Sequence, residues 1–381
     1  MNVSLREDQQ LLQRAARDLL SAHAPVSLAR QVEDERRGMA RALWKVLADH
    51  GWLGVGLPEA VGGSGGPVEV AVLAEELGRV IAPVPWLSTA VWSANVLAGC
   101  LEPAAARVLS QLIAGNAVVV PALRERDTGY RPTAVHCQAV PADGEWRLSG
   151  EKQFVPDGSI ADAFLVLART GEGEEGLFLL PAAEGVRLAV QPTTDGHSLA
   201  VLWLDQAPAI LLGAPGAGWA LVEPAEWRAA AAAAAWMLGA AERALEMAVE
   251  YARVRVQFGR PIGSFQAVSH KLAEVRWRLD ALRMLTYRAA AALARDPTST
   301  AAVAAAKLYA NRWTIWALHR CHEVFAGIGF MRIHDLQLYY RRLLAVGSLF
   351  GDEAHHQREV VRSQLFSPNL PAMGQALGPR R

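Results

Sequence analysis

Cysteine is scarce in this 381-residue chain: Cys100, Cys137 and Cys321 lie far apart and form neither a CxxC pair nor a Cys/His spacing suited to zinc. That rules out a disulfide framework and a structural metal as organising devices. Three small buried thiols in a reducing compartment, the cytoplasm, are expected instead. Excess charge of either sign is also missing. Lys+Arg and Asp+Glu both number 38, and this balance leaves no electrostatic footprint for nucleic acid or an anionic membrane. Long hydrophobic runs are absent too. The longest, Ala229 to Ala241, is mostly alanine and too short to span a bilayer. The opening MNVSLREDQQ is polar and lacks the apolar core of a signal peptide, so no membrane insertion is expected.

What the chain does have is apolar bulk, with 52% hydrophobic against 20% charged residues. Its length implies two or three domains. A near-neutral, apolar-rich surface favours association into an oligomer.

Three textures follow one another. Residues 1–115 read as a helical domain. Ser4 and Glu7 form a candidate capping box before an amphipathic run of Leu11, Leu12, Ala15, Leu19 and Leu20, which Pro25 closes. The breaker-rich GLPEAVGGSGG (Gly56 to Gly66) is a loop. Over 116–213, short Val-, Leu- and aromatic-rich runs alternate with turn signals, which predicts a small β-barrel or sandwich. Helical periodicity returns over 214–367, with helices expected at Pro224–Val256, from Phe265, at Ser299–Phe325, and after Ile333 and Asp352. Residues 368–381 read as a flexible tail. The fold class is α+β, with a β domain between two helical ones.

The segment RVQFGRPIGSFQ (Arg255 to Gln266) carries ligand chemistry. A guanidinium at Arg255 can fork onto a phosphate or diphosphate. Gln257 and Gln266 offer neutral amides suited to ribose or adenine edges. Gly327 and Gly329 allow close backbone approach to a ligand. A solvated helix-end arginine and two helix-ending glycines are the plainer alternative.

These pieces stand in a telling order. LWKVLADHGWLGVGLPEAVGGSGG with AEELGR, then LSGEKQFVPDGSIADAFLVLART, then RVQFGRPIGSFQAV and VFAGIGF resemble the acyl-CoA dehydrogenase family over essentially the whole chain. The resemblance implies that family's fold, a central small β-barrel between an N-terminal helical domain and a C-terminal four-helix bundle. It implies FAD as cofactor, an acyl-CoA thioester as substrate, and an electron-transfer acceptor. It also implies a dimer or tetramer, because each flavin site is completed by a second subunit. Arg255, Gln257, Phe258, Phe265, Gln266, Val324, Phe325 and Gly327 are the implied ADP-side residues, and Phe154, Val155, Glu125 and Gly129 the implied flavin-side ones.

The departures from the family pattern are as informative. Desaturation needs a carboxylate that takes the α-proton while hydride leaves the β-carbon, and a desolvated acid with a raised pKa suits that task. The family's base position directly precedes a late glycine; aligned on Gly351, it reads Phe350 here. The alternative position, on the helix leading into the Arg255 motif, reads Ala229. Asp352, Glu353 and Glu226 are the carboxylates near enough to substitute. Asp352 also suits a helix cap, and Glu226 a solvated first-turn acid. On the flavin side, Arg124, Arg126 and Tyr130 replace small hydroxyl and proline positions, and Pro156 lacks an amide N–H. An intact ADP half with an altered ring half and base resembles heteromeric dehydrogenases of bacterial steroid and bulky-acyl catabolism. Two other readings stay open: a self-sufficient homo-oligomer with a relocated base, and a flavin-free binding subunit. The alanines at 229–235 would either leave room for a bulky acyl group or pack tightly against neighbours.

Overall fold

A computed structural model of the protein describes residues 4–365, apart from positions 37, 127, 131–134, 143, 172, 183 and 197. The expected tail, 368–381, lies outside the described residues. The chain opens with helices α1 (Glu7–His23), α2 (Val26–Asp34), α3 (Arg41–Asp49) and α4 (Pro67–Arg79). A π-helical stretch (Trp86–Ser93) runs into α5 (Ala94–Ala98), and α6 (Pro103–Ile113) follows. The expected Ser4–Glu7 capping box does not form. Glu7 is already helical, and the N-terminus is closed by the Arg6 backbone N–H donating to Gln9 Oε1 (3.0 Å). The buried stripe also differs by one position. Ala16 and Leu20 face the core, whereas Ala15 is exposed and Leu11 is 61% exposed.

Strands β1 (Val119–Ala122), β2 (Gln138–Ala142), β3 (Glu145–Pro156), β4 (Ala163–Gly171), β5 (Glu174–Pro181), β6 (Val186–Pro192) and β7 (Ser198–Leu212) follow. Their pairing runs β4-β2-β3-β7-β5, and β5 returns to β4, so the sheet closes into a small barrel. β1 lies parallel beside β4, and β6 antiparallel beside β7. Closure removes most exposed edges and buries Leu148, Leu165, Leu167, Leu177 and Leu202.

The C-terminal bundle comprises α7 (Gly218–Val254), α8 (Gln266–Arg295) and α9 (Thr300–Phe325), with α10 (Gly327–Phe330), α11 (Leu336–Ser348) and α12 (Glu353–Leu365). A hairpin of β8 (Val256–Gln257) and β9 (Arg260–Pro261) links α7 to α8. α7 starts six residues before the expected Pro224. Proline deprives only the exposed Ala220 carbonyl of its helical bond, and water can replace it there.

The alanine run has a packing purpose. Ala229 through Ala235 are all buried, and α7 lies so close to α4 that a Cβ on Gly239 would strike the Glu75 carbonyl, and one on Gly78 the Trp236 carbonyl. The small residues therefore let two backbones meet, and the run itself does not line a roomy acyl site. A buried polar network ties the same helices together. Arg283 on α8 donates to Glu75 on α4 (2.9 Å) and to Glu242 on α7 (2.7 Å), and the Tyr287 hydroxyl donates to Glu75 (2.8 Å).

Candidate functional site

Where the barrel meets the helices, the α11–α12 turn carries Phe350. Its side chain is 6% exposed and its backbone left-handed (φ 54°), and Gly351 follows at φ 107°. A side chain on Gly351 would run into the His356 ring. Three groups hold this turn. His356 Nε2–H donates to the Phe350 carbonyl (3.0 Å), and Tyr130 O–H to the Ser348 carbonyl (2.9 Å). From beneath, Lys307 on α9 donates to Asn311 Oδ1 (2.7 Å) and to the carbonyls of Gly347 (3.0 Å) and Gly351 (3.2 Å). With no direct carboxylate partner, burial brings Lys307 down to about 7, and it brings His356 down to about 3.

Phe350 borders a cavity of about 40 Å3 together with Tyr130, Trp227, His356 and Glu226. Glu226 is not a solvated first-turn acid. Because α7 begins earlier than expected, Glu226 lies well inside the helix, where its carboxylate accepts from Trp92 Nε1–H (2.7 Å). It is partly buried and lines the cavity. Burial raises its pKa, and the nearby Arg124 guanidinium and the Trp92 bond only partly oppose this. The other two candidates are engaged elsewhere. Asp352 Oδ1 accepts the His355 backbone N–H (2.7 Å) and so caps α12. Glu353 pairs with Arg312 on the surface (2.5 Å).

On the flavin side, Arg124 lies 4.0 Å from the centre of the Tyr130 ring, a cation–π pair that fills the space next to the Phe350 turn. Glu125 has a structural task. It accepts from the fully buried Lys152 (2.6 Å) and from the backbone N–H groups of His136 (2.8 Å) and Cys137 (3.0 Å). Phe154 is 47% exposed and left-handed (φ 55°), and its ring is available to a ligand. Val155 has its side chain wholly in the barrel core, so only its backbone is available. Gly129 is exposed with open space around it.

The dinucleotide motif is open to solvent. Arg255 and Gln266 make no side-chain bond or ion pair among the described residues, and Gln257 bonds only the neighbouring Val256 carbonyl (2.8 Å). Phe258 is 93% exposed and left-handed, and its ring meets that of Phe265 edge-on at 6.2 Å. Val324 and Phe325 turn into the bundle. Phe325 stacks on Tyr251 at 4.6 Å, which sets the end of α9 against the end of α7. Gly327 has open space where a Cβ would be, as close ligand approach requires, whereas Gly329 packs against Phe325 and His322. An unpaired guanidinium, a free amide at Gln266, a second at Gln257 held only by its neighbour's carbonyl, and a bare glycine fit the ADP end of a dinucleotide.

Sequence reasoning passed over Trp92, Lys307 and His356. The available signals were a lysine in the otherwise apolar AAAKLYA and the His355–His356 pair just past Gly351.

Comparison with known proteins agrees with this geometry. The acyl-CoA dehydrogenase N-terminal, middle and C-terminal domain models match residues 6–116, 121–205 and 216–365 in order. The acyl-CoA dehydrogenase IpdE2 of Mycobacterium tuberculosis is 30% identical across 93% of this chain and 96% of its own length. A Tcur3481–Tcur3483 steroid ACAD variant shares 33% identity at a TM-score of 0.85, covering 94% of this chain and 98% of that one. The ChsE4–ChsE5 complex of Mycobacterium tuberculosis shares 29% at 0.87, covering 97% and 100%. Matches in this order over nearly the whole chain define an oxidoreductase scaffold of the class acting on CH–CH bonds. The chain belongs to the acyl-CoA dehydrogenase family, whose members use FAD. Among the described residues, no helix is long and apolar enough to cross a membrane.

Proposed function

We propose that this chain is the ADP-gripping subunit of a heteromeric, FAD-dependent acyl-CoA dehydrogenase, desaturating an acyl-CoA together with a base-bearing partner. The observation that carries this reading is a division within the chain: an exposed, uncommitted dinucleotide motif beside a base position filled by buried Phe350. The paired names of similar proteins, ChsE4–ChsE5 and Tcur3481–Tcur3483, support a two-subunit assembly. FAD, when bound, supplies the hydride acceptor, and an electron-transfer protein then takes the electrons. Arg255 holds the diphosphate, Gln257 and Gln266 the ribose or adenine, and Phe154 borders the ring. Loss of a general base costs about 10²–10⁴ in rate, so the chain alone turns over slowly.

A second reading rests on Glu226. It shares a cavity with Phe350 and has a raised pKa, so it is the one carboxylate of the three placed to act as a relocated base. In that case the chain works as a homo-oligomer.

Visible absorption of the chain purified alone and after co-expression with a neighbouring dehydrogenase subunit separates the readings. Flavin that appears, and bleaches with acyl-CoA, only in the co-expressed complex is the expected result. Bleaching by the lone chain favours Glu226, and Glu226→Gln should then cost about 10²–10⁴ in rate while Phe350→Glu restores activity. Absence of flavin from both preparations leaves a binding subunit without redox chemistry.

A further inference from the structure

Two cavities adjoin the Phe350 turn. The smaller is the one that Phe350 shares with Glu226. The larger, about 310 Å3, takes Trp86, Asp157, Leu349 and the buried Arg342 into its wall. Arg342 Nη1 donates to the Ile81 carbonyl (3.3 Å), while Nε and Nη2 have no acceptor. Both belong to the catalytic region. A third cavity, of about 510 Å3, lies apart from them in the N-terminal domain, among the end of α1, α2 and the start of α3. Its described lining includes no residue of the barrel, the bundle or the dinucleotide motif.

This volume is of small-molecule size. The floor is apolar and closed, since Val32, Met39 and Leu43 are 5%, 2% and 2% exposed, and Leu28 and Val46 stand half-buried beside them. Leu28, Gln31 and Val32 form one face of α2, and Arg30, Glu33 and Asp34 the opposite one. That opposite face is anchored to the segment entering α11 and to α11 itself by three ion pairs: Arg30–Asp335 (2.7 Å), Asp34–Arg332 (2.8 Å) and Glu33–Arg341 (2.8 Å). The cavity wall is therefore held in place from behind. No aromatic ring lines the cavity among the described residues, so a flat ring gains no stacking there. The adaptable Met39, with Leu28, Leu43 and Val46, suits a flexible aliphatic chain.

The polar end is of one kind. Arg41 and His23 line the cavity, and neither makes a side-chain hydrogen bond or ion pair among the described residues. The acids of α2 and its end are engaged: Glu33 and Asp34 in the ion pairs above, and Glu35 by Gln31 Nε2–H (3.1 Å). No carboxylate lines the cavity among the described residues. No side chain caps α3, whose first-turn residues Ala42 and Leu43 also line the cavity, so the end of the helix adds to the positive potential there. An unpaired guanidinium over an apolar floor matches a carboxylate head on an aliphatic body, with the fork taking both oxygens. A neutral or cationic head leaves that fork unused.

We propose that the α1–α3 cavity binds a free medium-chain aliphatic carboxylate, with Arg41 on the head group and Val32, Met39 and Leu43 under the chain. The site goes beyond the flavin and thioester chemistry and uses none of its residues, so either can fail alone.

Titration calorimetry of the full chain with decanoate, decan-1-ol and decyltrimethylammonium, each below its micellar range, tests this. Decanoate should bind one per chain and at least ~10-fold more tightly than the alcohol or the ammonium, a gap of about 1.4 kcal/mol. Arg41→Gln, which removes the fork, and Ala42→Trp, which fills the cavity, should each cost ~10-fold in decanoate affinity. Both positions are exposed in the first turn of α3, so both variants should melt at the wild-type temperature. If either fails to fold, Arg41→Lys, which keeps the charge without the fork, should still weaken decanoate. Decanoyl-CoA in excess should leave decanoate in place, which separates this cavity from the acyl-CoA site. Unchanged affinity in the variants, equal binding of the alcohol or the ammonium, displacement by decanoyl-CoA, or no decanoate binding would each overturn the assignment.

Discussion

Left-handed backbone collects at this site. Among the described non-glycine residues with positive φ, Ile81, Phe154, Asp157, Phe258, Ala326 and Phe350 all border the regions discussed above, and only Arg36 and Gln206 lie elsewhere. Such conformations cost of order 1–3 kcal/mol each and persist where the surroundings impose them. At Phe350 the imposing group is His356, fully buried and donating to the Phe350 carbonyl. Burial depresses His356 from 6.5 to about 3, so the folded protein keeps it neutral while the unfolded chain protonates below 6.5. Its contribution is complete above pH 6.5 and is lost as pH falls towards 3, on the order of a few kcal/mol in all. Denaturant unfolding at several pH values should show this loss, with a shallower slope in His356→Asn. An identical slope in the variant would remove His356 from the account. The place of Phe350 directly before Gly351 was legible in sequence, but its support was not, because Lys307 and His356 come from helices that meet it only in space.

Among the elements, α4 and α7 show how small residues become architecture. The Ala229–Ala235 run and the pair Gly78 and Gly239 allow a backbone-to-backbone crossing, and the buried Glu75–Arg283–Glu242 network locks it to α8. Gly239→Ala should cost at least about 1–3 kcal/mol, because its methyl meets a helix backbone that cannot yield, despite the better helix propensity of alanine. Thermal unfolding measures this, and a stabilised variant would contradict the crossing. The sequence left open whether the alanines made room or packed tightly; the partner helix decided it. The π-helical stretch Trp86–Ser93 was also not legible. It supplies Trp92 to Glu226 and Trp86 to the larger cavity beside the Phe350 turn, a placement consistent with the functional use of such irregular helices.

For the whole molecule, the telling surface is the end of the bundle where α7 and α9 finish. Val254 (76% exposed), Phe258 (93%), Phe330 (70%) and Ile333 (77%) leave large apolar side chains in water around the dinucleotide motif. A patch of this kind marks an interface. Phe258→Asp should shift the assembly towards monomer at micromolar concentration in sedimentation velocity and lower flavin content in parallel. Unchanged assembly would place the interface elsewhere.

The sequence by itself determined the order of domains, the family, the Arg255–Gln266 motif and the phenylalanine that stands directly before Gly351, because each is written in contiguous residues or fixed spacing. Tertiary structure alone decided that Glu226 shares a cavity with Phe350 while Asp352 and Glu353 do not. It likewise decided that Glu125 binds Lys152, and that Nε and Nη2 of buried Arg342 are left without acceptors beside a largely apolar cavity. Burial, charge partnership and empty space are properties of groups brought together from distant parts of the chain, and local pattern carries no record of them.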